Sequence, residues 1–153
     1  MIEFFVPGEP QGKGRPRVGR VAGQARMFTP AKTAAYEGLV AMAAQQAMAG
    51  RDPLRGACSI VVECVFSMPR SMSKRHRAAA LAGALRPTKK PDGDNVLKAI
   101  ADGINCIVWH DDVQAVDARV VKRYGEVPGV LVRVSEVLLD QRPAPPQQCV
   151  PVQ

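Results

Sequence analysis

Residues 58–66 (Cys-Ser-Ile-Val-Val-Glu-Cys-Val-Phe) are apolar at nearly every position, and Glu63 is their only charged residue. Because successive side chains of a β-strand point to opposite faces of a sheet, this segment predicts a strand buried on most of both faces. Such a strand needs covering layers, which the rest of the chain has to supply. The segment therefore favours a layered domain of helices and sheet.

Three other segments predict strands. Residues 1–6 are apolar and rich in β-formers, and residues 113–124 and 130–137 are also β-prone; in the last of these, valines alternate with polar residues such as Arg133. The Gly-Glu-Val-Pro-Gly sequence at 125–129 favours a hairpin that joins the last two strands.

Helix signals fill the gaps between these strands. Thr29 followed by Pro30 predicts the start of a helix that ends before Gly50. A shorter helix is expected from Ser71 or Ser73 to about residue 82, and a third over 95–105, capped by Asp94. The resulting order predicts an α/β or α+β fold, with a small mixed sheet packed against about three helices.

A chain of 153 residues predicts one domain, which we place at residues 1–139. Residues 7–27 carry five basic residues among glycines and prolines and are expected to form a flexible loop; the proline-rich segment 140–153 is expected to be a disordered tail. The sequence lacks a signal peptide and has no uncharged apolar run near the roughly 18 residues that span a membrane, so we expect a cytoplasmic protein without membrane contact. The spacing of the four cysteines favours neither a zinc site nor a disulfide framework.

The charge is strongly segregated. The chain holds 21 Lys and Arg against 14 Asp and Glu, and the segment 70–90 contains seven basic residues and no acid. Such a run is often only a solvated helix face, but the basic segment 13–26 adds a second one in a glycine-rich context that suits a phosphate backbone. Nucleic acid is thus the expected partner. The residues predicted to contact it are Lys13, Arg15, Arg17, Lys74, Arg75, Arg77, Lys89 and Lys90.

Five of the fourteen acids lie between Asp92 and Asp112. Asp92 and Asp94 are two residues apart in a segment that Pro91 keeps extended, so both carboxylates can converge on one ion. Gly93 between them is also expected to stay outside the helix. The spacing favours a metal site.

A helix over residues 95–104 would place Asp94, Lys98 and Asp102 along one side, opposite an apolar stripe. Lys98 would then project beside Asp94, where it could hold a phosphate or orient an attacking water. The same spacing is typical of a capping aspartate with an ordinary i,i+4 ion pair on a solvated face, and this alternative stays open.

A second acidic pair, Asp111-Asp112, directly precedes a predicted strand. Neighbouring residues at the start of a strand point in opposite directions, so we expect Asp112 to face the shared site and Asp111 to point away. Carboxylate oxygens around an open site suit Mg²⁺, with Mn²⁺ as a substitute, because such ions keep waters and take one or two carboxylates plus substrate phosphate.

Three segments together resemble a known family. Lys-Pro-Asp-Gly-Asp-Asn-Val-Leu-Lys-Ala-Ile-Ala-Asp-Gly-Ile-Asn at 90–105, Val-Trp-His-Asp-Asp-Val-Gln-Ala-Val at 108–116 and Lys-Arg-Tyr at 122–124 resemble the active-site region of the RusA-type Holliday-junction resolvases. Residues 12–17 and 29–37 resemble the phage and prophage branch of that family. Gly93 departs from the pattern, since relatives usually have Ile or Leu there.

The resemblance implies a small α/β homodimer that binds four-way DNA junctions and nicks them symmetrically with Mg²⁺. It implies metal-binding roles for Asp92, Asp94 and Asp112, places Asp111 as the neighbouring acid, and makes Lys98 the lysine of the catalytic site. Two other functions remain open from the residues alone. One is a DNA-binding module in which Gly-Arg-Pro at 14–16 acts as a minor-groove hook; the other is a structure-tolerant Mg²⁺ nuclease.

Overall fold

The computed structural model describes residues 1–137. In chain order, its elements are β1 (Ile2–Pro7), β2 (Arg17–Val21), β3 (Gln24–Phe28), α1 (Ala31–Met48), β4 (Cys58–Ser67), α2 (Lys74–Leu81), α3 (Gly93–Ile104), a 3-10 turn (Asp112–Gln114), β5 (Ala115–Gly125) and β6 (Gly129–Glu136). The predicted fold class is confirmed, because the main sheet is mixed and packs with three helices. The expected tail at 140–153 lies outside the described residues.

The main sheet has the strand order β1-β6-β4-β5. The apolar strand β4 lies inside it, parallel to β5 and antiparallel to β6. One face of β4 is fully buried, but Val61 and Glu63 on the other face are only half-buried. The prediction that most of both faces is buried is therefore wrong for the second face, where Val65 is buried but Glu63 accepts a 2.7 Å hydrogen bond from the part-exposed Arg123.

The expected hairpin between β5 and β6 is also wrong. A short turn does connect these strands, but β4 lies between them and pairs with both. A short connection indicates only that two strands are close along the chain. Here the mostly apolar β4 takes the inner position, where both of its edges are hydrogen-bonded, and the more polar β5 takes the edge.

Residues 17–27, which belong to the segment expected to be a flexible loop, instead form the β2–β3 hairpin together with Phe28. Ala22 and Gly23 make its tight turn with φ of 51° and 79°. Two positive φ values are the geometry that matches the twist of a two-residue hairpin. Except for Gly19, the strand residues of this hairpin are exposed. Its sequence therefore lacks the alternation of apolar and polar residues that predicts a half-buried strand.

Helix α3 begins earlier than expected. Asp92, rather than Asp94, is its capping residue, and Gly93 is its first helical residue. A β-carbon added to Gly93 would lie 3.2 Å from Cγ1 of Val120 on β5, so the helix start packs tightly against this strand. The close fit explains why glycine occupies this position, because a side chain there would press against Val120.

The core fixes α3 between α1 and the sheet. Val96, Ile100 and Ile104 are fully buried on its apolar side. Gly103 faces α1 so closely that a β-carbon there would lie 2.8 Å from Cγ1 of Val40. The polar side of α3 is thereby turned towards the start of β5. Among residues 1–137, no helix is long and apolar enough to cross a bilayer.

Candidate active site

The polar side of α3 carries Asp94, Lys98 and Asp102, as the helical periodicity predicts. Lys98 Nζ lies 2.9 Å from Oδ1 of Asp102 and donates a 2.7 Å hydrogen bond to Oδ2 of Asp112. The i,i+4 ion pair that the spacing allows is formed by Lys98 with Asp102, and Lys98 also pairs across to the 3-10 turn. Lys98 therefore joins two elements of the site.

The 3-10 turn sets the direction of each aspartate in the Asp111-Asp112 pair. The Asp111 side chain accepts a hydrogen bond from the backbone N–H of Val113, and the Gln114 side chain accepts one of 2.8 Å from the N–H of His110 and one of 3.1 Å from that of Asp111. Asp111 is thus used as a cap, while Asp112 turns to Lys98.

The same turn is fastened to the body of the protein. The Gln114 amide donates to the carbonyls of Leu54 and Gly56 at 2.9 and 3.0 Å. Trp109, which is fully buried, donates from its ring nitrogen to Oδ1 of Asn105 at 2.7 Å. Both ends of the connection between α3 and β5 are therefore held, and Asp112 has a fixed place opposite Lys98.

A chain of alternating charges continues away from Lys98. Lys13 Nζ lies 2.8 Å from Oδ2 of Asp102 and also pairs with Glu37 on α1. The Lys13 backbone N–H donates to the carbonyl of Asn95 at 2.9 Å, which pins the segment before β2 onto α3. Lys13 thus contacts α3, and its predicted contact with DNA stays a prediction.

These contacts shift the pKa values of their members. The hydrogen bonds that Lys98 donates to Asp112 and then to Asp102 raise the pKa of Lys98 well above its usual value, and the bond from Lys98 lowers the pKa of Asp112. Burial alone would raise the pKa of Asp102, but hydrogen bonds from Lys13 and Lys98 outweigh it and lower that pKa. The network therefore keeps its lysines and aspartates charged across the neutral pH range.

Asp94, Lys98 and Asp112 line one pocket of about 240 Å³, whose floor is apolar and includes Trp109 and Ile60. Asp92 does not line it. This residue lies instead in a larger adjoining groove of about 700 Å³. The structure thus brings together three of the residues predicted for the site and places Asp92 beside them.

The donors in the pocket bear on the predicted metal. Within residues 1–137, no three Asp, Glu, His or Cys side chains form a group that could hold an ion. Two carboxylates, Asp94 and Asp112, share the pocket. This pair fits Mg²⁺, which takes one or two carboxylates and completes its shell with water and substrate phosphate. The predicted role of Asp92 as a third ligand stays a prediction.

The larger groove is strongly basic. Its lining includes Lys13, Arg15, Arg17, Lys32 and Lys90. The groove also includes the N-terminus of α3, where the helix dipole favours anions as well. The groove therefore suits a phosphate backbone, and Lys32 joins the residues that the sequence already indicated.

The basic residues between 70 and 90 differ in their exposure and in their contacts. Lys74 and Arg75 are exposed at the start of α2. Arg77, in contrast, donates to the carbonyls of Met72 and Pro69, so its side chain braces the turn before the helix. Lys89 lies 5.5 Å from the centre of the Phe66 ring. None of these four lines the groove.

Three residues with positioning roles were not singled out from sequence. Lys122 on β5 donates to the carbonyls of Lys89 and Pro91 at 2.5 and 3.1 Å and so holds the segment that leads to Asp92. Gln114 fastens the 3-10 turn, and Glu37 pairs with Lys13. The only sequence signal was that Lys122, Gln114 and Glu37 lie inside segments that resemble the resolvase family.

Comparison with known proteins agrees with this geometry. The family model described as Endodeoxyribonuclease RusA matches residues 7–135. The uncharacterized protein YqaN of Bacillus subtilis (strain 168) is 40% identical over 138 residues, which make up 89% of this chain and 96% of that protein. The span 7–135 that matches the family model contains the positions of both acidic pairs, Lys98 and the basic groove. The chain therefore belongs to the RusA family of endodeoxyribonucleases, as the resemblance predicted.

Proposed function

We propose that this protein is a Mg²⁺-dependent endodeoxyribonuclease that resolves four-way (Holliday) DNA junctions by paired, symmetric nicks. The observation that carries the proposal is the pocket shared by Asp94, Lys98 and Asp112, which adjoins a basic groove in a chain of the RusA family. A DNA-binding module needs the groove but has no use for the carboxylate pocket.

The groove would hold one DNA strand by its phosphates. Arg15 and Arg17 line its outer part and Lys90 lies near Asp92 at the helix start, so the strand would run towards α3. Contacts of this kind supply affinity and orientation without reading sequence. The scissile phosphate would then reach the neighbouring pocket.

Asp94 and Asp112 would hold the Mg²⁺, with Asp92 reaching in from the groove side. When bound, the ion activates water and stabilises charge on the scissile phosphate and the leaving 3′ oxygen. Lys98 is placed to hold a phosphate oxygen, because its side chain lines the pocket and is 53% exposed. Among the described residues, the pocket lining contains no Ser, Cys or His, which favours direct attack by water over a covalent intermediate.

We also propose a homodimer. A four-way junction has two equivalent strands to cut, and a two-fold dimer presents two equivalent sites to them. Paired nicks at symmetric positions follow from this match of symmetries.

The test is cleavage of end-labelled four-way, Y-shaped and linear DNA with Mg²⁺, using the wild type, Asp94→Asn, Asp112→Asn and a control, Asp52→Asn, which changes an exposed aspartate outside the site. We expect the wild type and the control to cut the four-way junction, and both site variants to bind it without cutting. Equal cutting of all three DNAs would instead indicate a structure-tolerant nuclease. Binding without cutting by the wild type would indicate a DNA-binding module.

A further inference from the structure

The β2–β3 hairpin presents apolar side chains to solvent. Val18 and Met27 lie opposite each other in its register and are 71% and 70% exposed. Arg20, two residues after Val18, projects from the same face. In the described part of the chain, β2 and β3 pair only with each other. The hairpin thus carries an uncovered apolar pair with an arginine beside it.

The hairpin is also an extension of the basic groove. Arg17, the first residue of β2, lines the groove, and Arg20 and Arg26 lie further out along the ribbon. No acidic residue occurs between Glu9 and Glu37. A DNA strand that leaves the groove away from Asp92 would therefore meet the hairpin next.

We propose that the hairpin recognises the branch point of DNA. Its arginines hold phosphates of the arm that leaves the groove, and Val18 and Met27 pack against the base faces that a branch exposes. This inference rests on the proposed function. It adds a contact that distinguishes branched from linear DNA.

The chemistry of DNA favours this occupant. In a linear duplex, the face of each base is covered by its stacked neighbour. An apolar side chain reaches that face only by separating two stacked base pairs, as the inserted side chains of architectural proteins do. At a branch, stacking is already interrupted and that cost is reduced. A second copy of the hairpin fits less well, because pairing two of them would bring six arginines together without an acid.

The test measures binding without cutting, in EDTA, of a four-way junction and a linear duplex of the same length. The variant is Val18→Thr with Met27→Gln, which keeps β-branching and side-chain length but removes apolar surface. Its matched control is Met42→Gln, which changes an exposed methionine on α1. A second variant, Arg20→Gln with Arg26→Gln, removes charge from the hairpin.

We expect the Val18/Met27 variant to bind the junction about tenfold more weakly, with linear duplex binding changed less than about twofold, because only the branch offers base faces. The arginine variant should weaken binding to both DNAs and reduce the salt slope by about 0.9 per lost phosphate contact. A 2-aminopurine base at the branch should change its fluorescence with the wild type and with Met42→Gln, and much less with the Val18/Met27 variant.

Three results would overturn the inference. The first is an unchanged junction preference in the Val18/Met27 variant. The second is a fall in its mass in light scattering, which would assign the hairpin to contact between copies. The third is a wild type with no preference for the junction. Only this last result would also remove the junction from the proposed function, whereas cleavage with Mg²⁺ tests the nuclease activity separately.

Discussion

Lys98 contacts two carboxylates and still has half of its side chain exposed at the pocket. An ammonium in this position can neutralise Asp112 before substrate binds and can turn to a phosphate oxygen afterwards. The contact with Asp102 would then keep it at the site. Asp102 is in turn held by Lys13, so the position of Lys98 depends on a residue from the segment before β2.

Replacing Lys98 with alanine tests this role. We expect single-turnover cleavage at saturating protein to slow by about 100-fold or more, which corresponds to about 2.7 kcal/mol of transition-state stabilisation. The free energy of unfolding should change by less than about 1 kcal/mol, because ion pairs of an exposed lysine contribute little. Arg55→Ala, which changes an exposed basic residue outside the predicted DNA contacts, is the control for rate. A stable and fully active Lys98→Ala protein would remove Lys98 from the mechanism.

The charge chain also predicts a dependence of stability on pH. Although burial opposes it, hydrogen bonding to Lys13 and Lys98 lowers the pKa of Asp102, so this carboxyl binds its proton less readily in the folded than in the unfolded state. The stabilisation is therefore present above the ordinary value of about 3.9 and is lost as the pH falls through the lowered pKa.

We expect Asp102→Asn to melt about 2–4 °C below the wild type at pH 7, as for a loss of roughly 1 kcal/mol in a chain of this size. The difference should shrink below about pH 4, where Asp102 of the unfolded wild-type chain begins to take up its proton. Thermal melts between pH 3 and pH 8 measure it. A gap that stayed constant over this range would show that the ion pairs do not stabilise the fold.

At the scale of elements, the position of Asp112 depends on the 3-10 turn and on the hydrogen bonds of Gln114 that hold this turn in place. Removing the Gln114 side chain leaves four hydrogen-bonding groups without their partner. We expect Gln114→Ala to lower the free energy of unfolding by about 1–2 kcal/mol and the single-turnover rate by roughly tenfold. Junction binding should not change, because Gln114 lies outside the groove.

Urea denaturation, single-turnover cleavage and junction binding on the same protein measure these effects, with Gln46→Ala on the exposed side of α1 as the control. If stability fell while the rate at saturating protein stayed at the wild-type level, the turn would be structural only.

The elements show why the sequence predicted part of this fold and missed the rest. The strands and helices of the main layers were predictable because their burial is periodic, as in β6 and on the apolar side of α3. The β2–β3 hairpin was not, since its exposed strands have no buried face to impose a pattern. The predicted pairing of β5 with β6 was wrong, because β4 lies between them. The burial of a strand, and not the length of the connecting loop, decides its neighbours in this sheet.

The candidate site divides in the same way. Asp94, Lys98 and Asp112 could be predicted because they lie within one short stretch of sequence around a single helix and turn. The tie from Lys13 to Asp102 joins residues far apart in the chain, and no local periodicity indicates such a contact. The place of Asp92 in the groove depends on the exact start of α3, which is the least predictable feature of a helix.

For the whole molecule, the central prediction is the assembly. We expect light scattering to give twice the mass of one chain, and two incisions at symmetric positions in the junction. Mixed dimers of wild-type and Asp112→Asn subunits should nick one strand only. A monomer that makes both cuts would contradict the match between the symmetry of the protein and that of its substrate.

The separateness of the β2–β3 hairpin has a consequence for proteolysis. A two-stranded ribbon is marginally stable alone, and this one has no third strand in the described chain. Trypsin, which needs a locally unfolded segment with an arginine, should cut early after Arg20 or Arg26 and leave the main sheet and its helices folded. Mass spectrometry of a brief digest would identify the cuts, and four-way DNA should delay them. Early cutting inside α3 instead would show that this helix opens before the hairpin does.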